Sequence, residues 1–253
     1  MERADLASVA GVFAAAPVAS AGRVTLDEEA AHHLRVRRIG QGERVRVLDG
    51  LGHVGIGVVA RLAKRAVEVD VEAVEDHPPP PDVHLLLPVA DRDRMLWLAE
   101  KAVELGVRGW HPVRWRRSRS VSPRGEGEAF RARVRARMAS ALVQSGGAWL
   151  PGIAPEGELD DVLARATSGH RFLLDAGGTP LLTLCAGDLT TPVWIAVGPE
   201  GGVEREERER VVAAGFAPAR LGPTVLRFET AGVCAVAVLR AVSDAASRGL
   251  DRS

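Results

Sequence analysis

At 253 residues, 46% hydrophobic and 26% charged, the chain can bury one large core or two modest ones and has the make-up of a globular protein. Lys plus Arg and Asp plus Glu both number 33, so any affinity for a polyanion has to come from a local basic patch and not from overall charge. Two cysteines, Cys185 and Cys234, are too few for a disulfide framework or a cysteine metal site and read as small core residues.

The segment VAGVFAAAPVASAG at residues 9–22 has the apolar, small-residue character of a secretory leader. Glu2 and Asp5 flank Arg3, however, and deny it a basic leading region. No run approaches the ~18 apolar residues of a membrane span. A cytoplasmic protein with no membrane contact is expected.

Three strands follow: RVRVLDG at 44–50, VGIGVVARL at 54–62 and AVEVDVEAV at 66–74. The last alternates apolar and acidic residues with a period of two, as a half-buried strand should. Residues 77–82, His-Pro-Pro-Pro-Pro-Asp, lack donors over four positions and predict an extended spacer. The rhythm then changes. A buried strand at 83–89 precedes a helix at 92–106, with Met95, Leu98, Ala102 and Leu105 on one face and Gly106 as its stop. A strand at 110–113, a helix at 130–142, a helix from Leu159, and strands at 171–175 and 192–198 complete an alternating pattern, which predicts a mostly parallel α/β sheet.

The strongest local signal is WIAVGPEGGVEREERERVVAAGF at 194–216, where an apolar strand turns through Gly198-Pro199-Glu200-Gly201-Gly202 into a charged helix. Glycines permit positive φ and let a ligand approach bare backbone, and ligands bind at strand carboxyl ends in open α/β sheets. Glycine content alone fits a plain turn equally well. Glu204 with Arg208 and Glu206 with Arg210 are spaced for i,i+4 pairs on a solvated face. The next block, ARLGPTVLRFETA at 219–231, holds a second Gly-Pro turn, a buried-looking Arg227, and Glu229 and Thr230 ahead of an apolar helix. Thr230 capping that helix explains the block as well as catalysis does.

Between residues 108 and 137 stand ten Arg against Glu126 and Glu128. Within 130–142, Phe130, Val134, Met138 and Ala141 form one helical stripe with Arg131 and Arg135 along one side and Arg133 and Arg137 along the other. Such a surface attracts phosphate, and a solvated arginine face is the plain alternative. His32 and His33 have no Cys or carboxylate spacing that would make a metal site.

GPEGG followed by LGPTVLRFETA resembles the cofactor end of the ribosomal small-subunit methyltransferase E family, of the SPOUT superfamily. The likeness extends in order to LDEEAAHHLRVRRIGQGERVRVLDGLG, EKAVELGVRGWHPV and QSGG at 144–147, nearly the whole chain. It implies a PUA-like, RNA-binding β-barrel at 1–76, the proline linker at 77–82, and a knotted α/β methyltransferase domain at 83–253. It further implies S-adenosyl-L-methionine held by Gly198, Glu200, Gly201, Gly202, Leu221, Gly222, Leu226 and Thr230, with Arg227 and Glu229 where the methyl meets the base. Arg35, Arg37, Arg38, Arg116, Arg117, Arg131 and Arg135 are the expected RNA contacts. The implied activity is methylation of uridine N3 in 16S rRNA, free or within the small subunit, by a homodimer. The alternatives are a ribose 2′-hydroxyl methyltransferase and a non-catalytic RNA-binding protein. The chain departs from the family pattern at Phe228, where Thr is usual, and at Val143 and Gly147, where Glu and Arg are common.

Overall fold

A computed structural model describes residues 9–118, 123–185 and 192–250, with side chains as far as residue 245. Glu2, Arg3, Asp5 and Arg119, which entered the reading above, lie outside the described residues. The chain forms two compact units: Met1–Pro79 with Ala139–Leu150, and Pro80–Met138 with Pro151–Ser253. Residues 139–150 thus pack with the first unit although they follow the proline run, which the linear reading did not include.

The first unit is a five-stranded sheet of β1 (Gly11–Phe13), β2 (Gly22–Leu26), β3 (Arg44–Leu48), β4 (His53–Leu62) and β5 (Val67–Asp76), in the order β1-β3-β4-β5-β2. The alternation expected of the last strand is present: Val67, Val69 and Val71 are buried while Glu68 and Asp70 are not. Helix α1 (Glu28–Val36) buries Ala30, Ala31 and Leu34 against the same core, and Asp27 caps it by accepting from the Ala30 amide at 3.0 Å. The leader-like segment is structural, since Val12, Ala14 and Val18 are core residues.

The second unit is a parallel sheet. β6 (Val83–Pro88), β7 (Gly109–Arg114), β8 (Gly152–Ile153), β10 (His170–Pro180), β11 (Val193–Ala196) and β12 (Ala217–Arg220) run in the order β12-β10-β11-β6-β7-β8, and β9 (Gly157–Glu158) also pairs with β7. The run Val193 to Ala196 is buried throughout, as a strand covered on both faces must be. Its helices are α2 (Arg92–Glu104), α4 (Leu159–Leu163), α5 (Leu181–Leu184), α6 (Arg205–Ala213) and α7 (Phe228–Leu250); α3 (Glu128–Ser145) contributes its first part here and its last part to the first unit. Gly106 stops α2 with φ +68°, and Arg240 of α7 donates to the Leu105 carbonyl at 2.6 Å, so the freed carbonyls of that helix end have a cation.

Two expectations are corrected. The expected Glu204–Arg208 and Glu206–Arg210 pairs of α6 do not form, and the i,i+4 pair this helix makes is Arg205 with Glu209 at 2.9 Å. Arg208 bonds Asp175 at 2.6 Å, Arg210 bonds Asp160 at 2.9 Å, and Glu204 and Glu206 both hold Arg116. An exposed i,i+4 pair is worth only a few tenths of a kcal/mol, so partners offered by neighbouring elements win. Thr230 does not cap α7. The helix starts at Phe228, and the Ala231 amide already donates to the Arg227 carbonyl at 2.8 Å, which leaves Thr230 inside the first turn.

Candidate functional site

The site lies where the central parallel strands end. β11 and β6 are neighbours, and so are β11 and β10, so the loops leaving their carboxyl ends converge. After β11 comes the glycine loop at 198–202. Gly202 has φ +77° and its amide closes a turn on the Pro199 carbonyl at 2.8 Å. A side chain on Gly198 would run into Val203. The loop therefore has to be glycine to bend this tightly and leave its backbone open.

A cavity of about 260 Å³ opens against this loop, lined by Gly198, Glu200, Gly202 and Val203, the stretch Leu173 to Ala176 of β10, and Val225, Leu226 and Phe228. A smaller one of about 110 Å³ shares Leu174, Asp175, Ala176, Val225, Leu226 and Ala231 with it, and adds Leu221 and Gly222. The two form one continuous depression between the Gly-rich loop and the second Gly-Pro turn. Of the residues expected at a cofactor, Gly198, Glu200, Gly202, Leu221, Gly222 and Leu226 line it. Gly201 and Thr230 do not; Gly201 instead offers its carbonyl to Arg117 at 2.6 Å.

Glu229 and Arg227 part company. Glu229 is 8% exposed, and its Oε2 is buried with no hydrogen-bond partner. A buried carboxylate oxygen without a donor is costly and marks a place where a donor is missing. Arg227, read from sequence as buried, is exposed, and its guanidinium makes no hydrogen bond or ion pair among the described residues. It precedes the helix on an open loop, where water solvates the charge that a core would have to desolvate.

Sequence reasoning missed Arg94, the third residue of α2, which pairs with Glu200 and stands 4.0 Å from Glu229. It also missed Asp175 and Arg208 on the cavity wall. Asp175 ends the apolar run RFLLD inside β10, just past the last residue paired with β11, and the polar residue closing that run was the available signal. The hydrogen bond from Arg208 holds the Asp175 carboxyl below its ordinary range.

The arginines expected to meet RNA differ in their freedom. Arg116 bonds Glu204 and Glu206, Arg117 bonds the Gly201 carbonyl, and Arg131 bonds Glu156 at 2.9 Å. Arg116 and Arg117 brace the glycine loop and the start of α6, and Arg131 holds the segment ahead of β9. Arg135, with Arg133 beside it, is exposed and has no ion pair among the described residues. The stripe beneath them is as expected, with Phe130, Val134, Met138 and Ala141 all buried. In the first unit Arg35, Arg37 and Arg38 are exposed, and Arg35 donates to the Lys64 carbonyl. Among the described residues no three His, Cys, Asp or Glu gather as a metal group, and no helix is long and apolar enough to cross a membrane.

Comparison with known proteins agrees with this geometry. Residues 26–72 match the RNA methyltransferase PUA domain. The ribosomal RNA small subunit methyltransferase E of Synechocystis is 28% identical over 234 residues, covering 87% of this chain and 73% of that one. Its counterpart in Mycobacterium tuberculosis is 29% identical over 236 residues, covering 87% and 86%. The crystal structure of a ribosomal RNA small subunit methyltransferase E from Neisseria gonorrhoeae bound to S-adenosyl methionine superposes with a TM-score of 0.81 at 26% identity, over 92% of this chain and 98% of that one. Residues 77–240 match the RNA methyltransferase domain, and with most of its length so matched the chain belongs to that family.

Proposed function

We propose that this RNA methyltransferase uses S-adenosylmethionine to methylate N3 of a uridine in 16S rRNA, free or within the small ribosomal subunit. The observation that carries the reading is the cavity of about 260 Å³ between the two glycine turns, with the unpartnered Glu229 oxygen on the adjoining helix turn. Open backbone at 198–202 suits a polar amino-acid end, and the apolar wall of Leu226 and Phe228 suits a purine or thioether. Gly198, Glu200, Gly202, Leu221, Gly222 and Leu226 would hold the donor. Gly201 and Thr230 would support them from behind. When bound, S-adenosylmethionine supplies an electrophilic methyl group on a sulfonium.

The protein's part is to orient the base, exclude water and manage one proton. N3 of uracil carries a hydrogen and is a poor nucleophile until that proton leaves. Glu229 Oε2 is the acceptor we assign to it, and Arg227 the cation that stabilises the anionic base. The RNA-facing cations we assign are Arg35, Arg37 and Arg38 on the first unit and Arg135 on the second, with Arg116, Arg117 and Arg131 contributing through the loops they brace. Residues 1–76 would serve as an RNA-binding barrel and residues 83–253 as a knotted catalytic domain. The protein would work in the cytoplasm as a homodimer with the Ala231-to-Val242 stretch of α7 at the interface, where exposed Ala237 and Ala241 permit close approach.

Transfer of tritium from labelled S-adenosylmethionine to small-subunit RNA, followed by digestion and location of the methyl, tests the reading. Label on N3 of uridine is expected. Label on a ribose oxygen would replace it with the 2′-hydroxyl reading, and no transfer with intact RNA binding would leave an RNA-binding protein. Light scattering tests the dimer directly.

A further inference from the structure

Three loops reach the site from three different places in the chain, and one side chain joins all of them. Arg94 sits in the first turn of α2, which leaves the carboxyl end of β6. Asp91 caps that turn by accepting from the Asp93 and Arg94 amides at 3.1 Å each, so the backbone from which Arg94 projects is held. Its guanidinium pairs with Glu200 of the glycine loop, and its Nε lies 4.0 Å from Glu229 Oε1 at the start of α7. The packing of α2 against α7 brings the second carboxylate there.

Glu200 and Glu229 are thus two like charges gathered at one place, 29 positions apart in sequence. Among the described residues Arg94 is the one cation paired with either of them. Glu200 lines the cavity, whereas neither Arg94 nor Glu229 is among its lining residues. Arg94 therefore acts through the carboxylates it pairs with.

We propose that Arg94 is a positioning residue for methyl transfer: by holding Glu200 and Glu229 in one charge-paired cluster it sets the glycine loop for the donor and aims the free Glu229 oxygen at the base. This rests on the methyl-transfer reading above. A guanidinium suits the task because its planar fork serves two carboxylates at once, which a point-charge ammonium does less well.

Coupling separates this role from general support of the fold. Arg94→Gln is expected to lower kcat at least about ten-fold in the wild-type background and to add nothing in a Glu229→Gln background. By calorimetry with S-adenosylhomocysteine it is expected to weaken binding several-fold, and to add nothing when Glu200 is already Gln. Arg94→Lys is expected to recover part of both losses. Fully additive effects in the two cycles, or a Lys variant no better than Gln, would overturn the proposal.

One readout needs neither donor nor turnover. Hydrogen exchange at the Gly202 amide, which bonds the Pro199 carbonyl, is expected to quicken about ten-fold in unliganded Arg94→Gln and to slow again in Arg94→Lys. Unchanged exchange overturns the clamp whatever the activity does. A wild-type protein that neither binds the donor nor methylates RNA overturns the functional reading instead, and the exchange result still decides the clamp.

Discussion

Arg208 donates from Nε to Asp175 Oδ2 at 2.6 Å, and both residues line the cavity. The other oxygen, Oδ1, accepts from the Gly177 amide at 2.8 Å. With both oxygens engaged, the carboxylate is held in one orientation beside the glycine loop. Arg208→Gln removes the longer-range of these restraints. We expect donor affinity to fall about ten-fold, measured by calorimetry, with a melting temperature lower by only about 1–3 °C, because a half-exposed pair contributes less than about 1 kcal/mol.

A second consequence concerns acid. On β6 and β7, His84 Nδ1 and His111 Nε2 lie 3.1 Å apart, His84 stacks on Trp194 with ring centroids 4.1 Å apart, and His84 Nε2 meets Asp82 at 2.9 Å. Burial, the neighbouring His84 and Arg165 push His111 down to about 4, and burial also lowers His84 despite Asp82. Folded-state values below the unfolded one mean that the neutral rings favour folding. Their contribution is complete above about pH 6.5 and is lost as pH falls from there towards 4, worth at most about 3 kcal/mol for His111. Denaturant unfolding at pH 7.5 and pH 4.5 should show that loss. His111→Gln should lose less between the two pH values, and an equal loss in both proteins would sink the assignment.

The αL residue Arg38 offers a test in which stability and function move oppositely. Its φ is +60°, and beyond it the Ile39 amide returns to the Leu34 carbonyl at 2.9 Å, so α1 ends in the turn that usually takes glycine. A side chain in that conformation costs about 1–2 kcal/mol. Part of the gain from removing it is offset by the looser unfolded chain of a glycine. Arg38→Gly should therefore stabilise the protein by about 0.5 kcal/mol in a urea titration while weakening RNA binding and reducing its salt dependence. A variant that is both less stable and equally tight on RNA would contradict both assignments.

Much of the site was legible where chemistry is local. The proline run marked the change from sheet to alternating strands and helices, and the two Gly-Pro turns each stood after a readable strand or before a readable helix. Phe228 is instructive. It departs from the family pattern, yet it is 2% exposed and forms part of the cavity wall, so an apolar ring replaces a hydroxyl without opening the site. What could not be read is what depends on distant pairs. Arg94 and Glu229 are 135 positions apart in the chain, and no periodicity connects them. Arg116 pairs with Glu204 and Glu206, 88 and 90 positions away, which no local pattern reveals. The two-residue strands β8 and β9 are too short to carry a period. Residues 139–145 continue a helix whose pattern gives no hint that its partners change.

Arg227 and Glu229 provide the last contrast, because their surroundings differ so much within one stretch of chain. Arg227 is exposed and has no partner among the described residues, so Arg227→Ala removes no packing or ion pair that the fold uses. Its melting temperature should stay within about 1 °C of wild type. The role we assign it is to stabilise charge that develops on the base, and a cation serving that purpose is worth about 2.7–4 kcal/mol in the barrier, or a hundred-fold and more in kcat. Glu229→Gln keeps the shape of a buried side chain and removes its charge, so turnover should fall by a similar factor, while S-adenosylhomocysteine binding survives in both variants. If Arg227→Ala methylates RNA at near-normal rates while Glu229→Gln does not, the cation facing the base has to be sought elsewhere on the rim of the cavity.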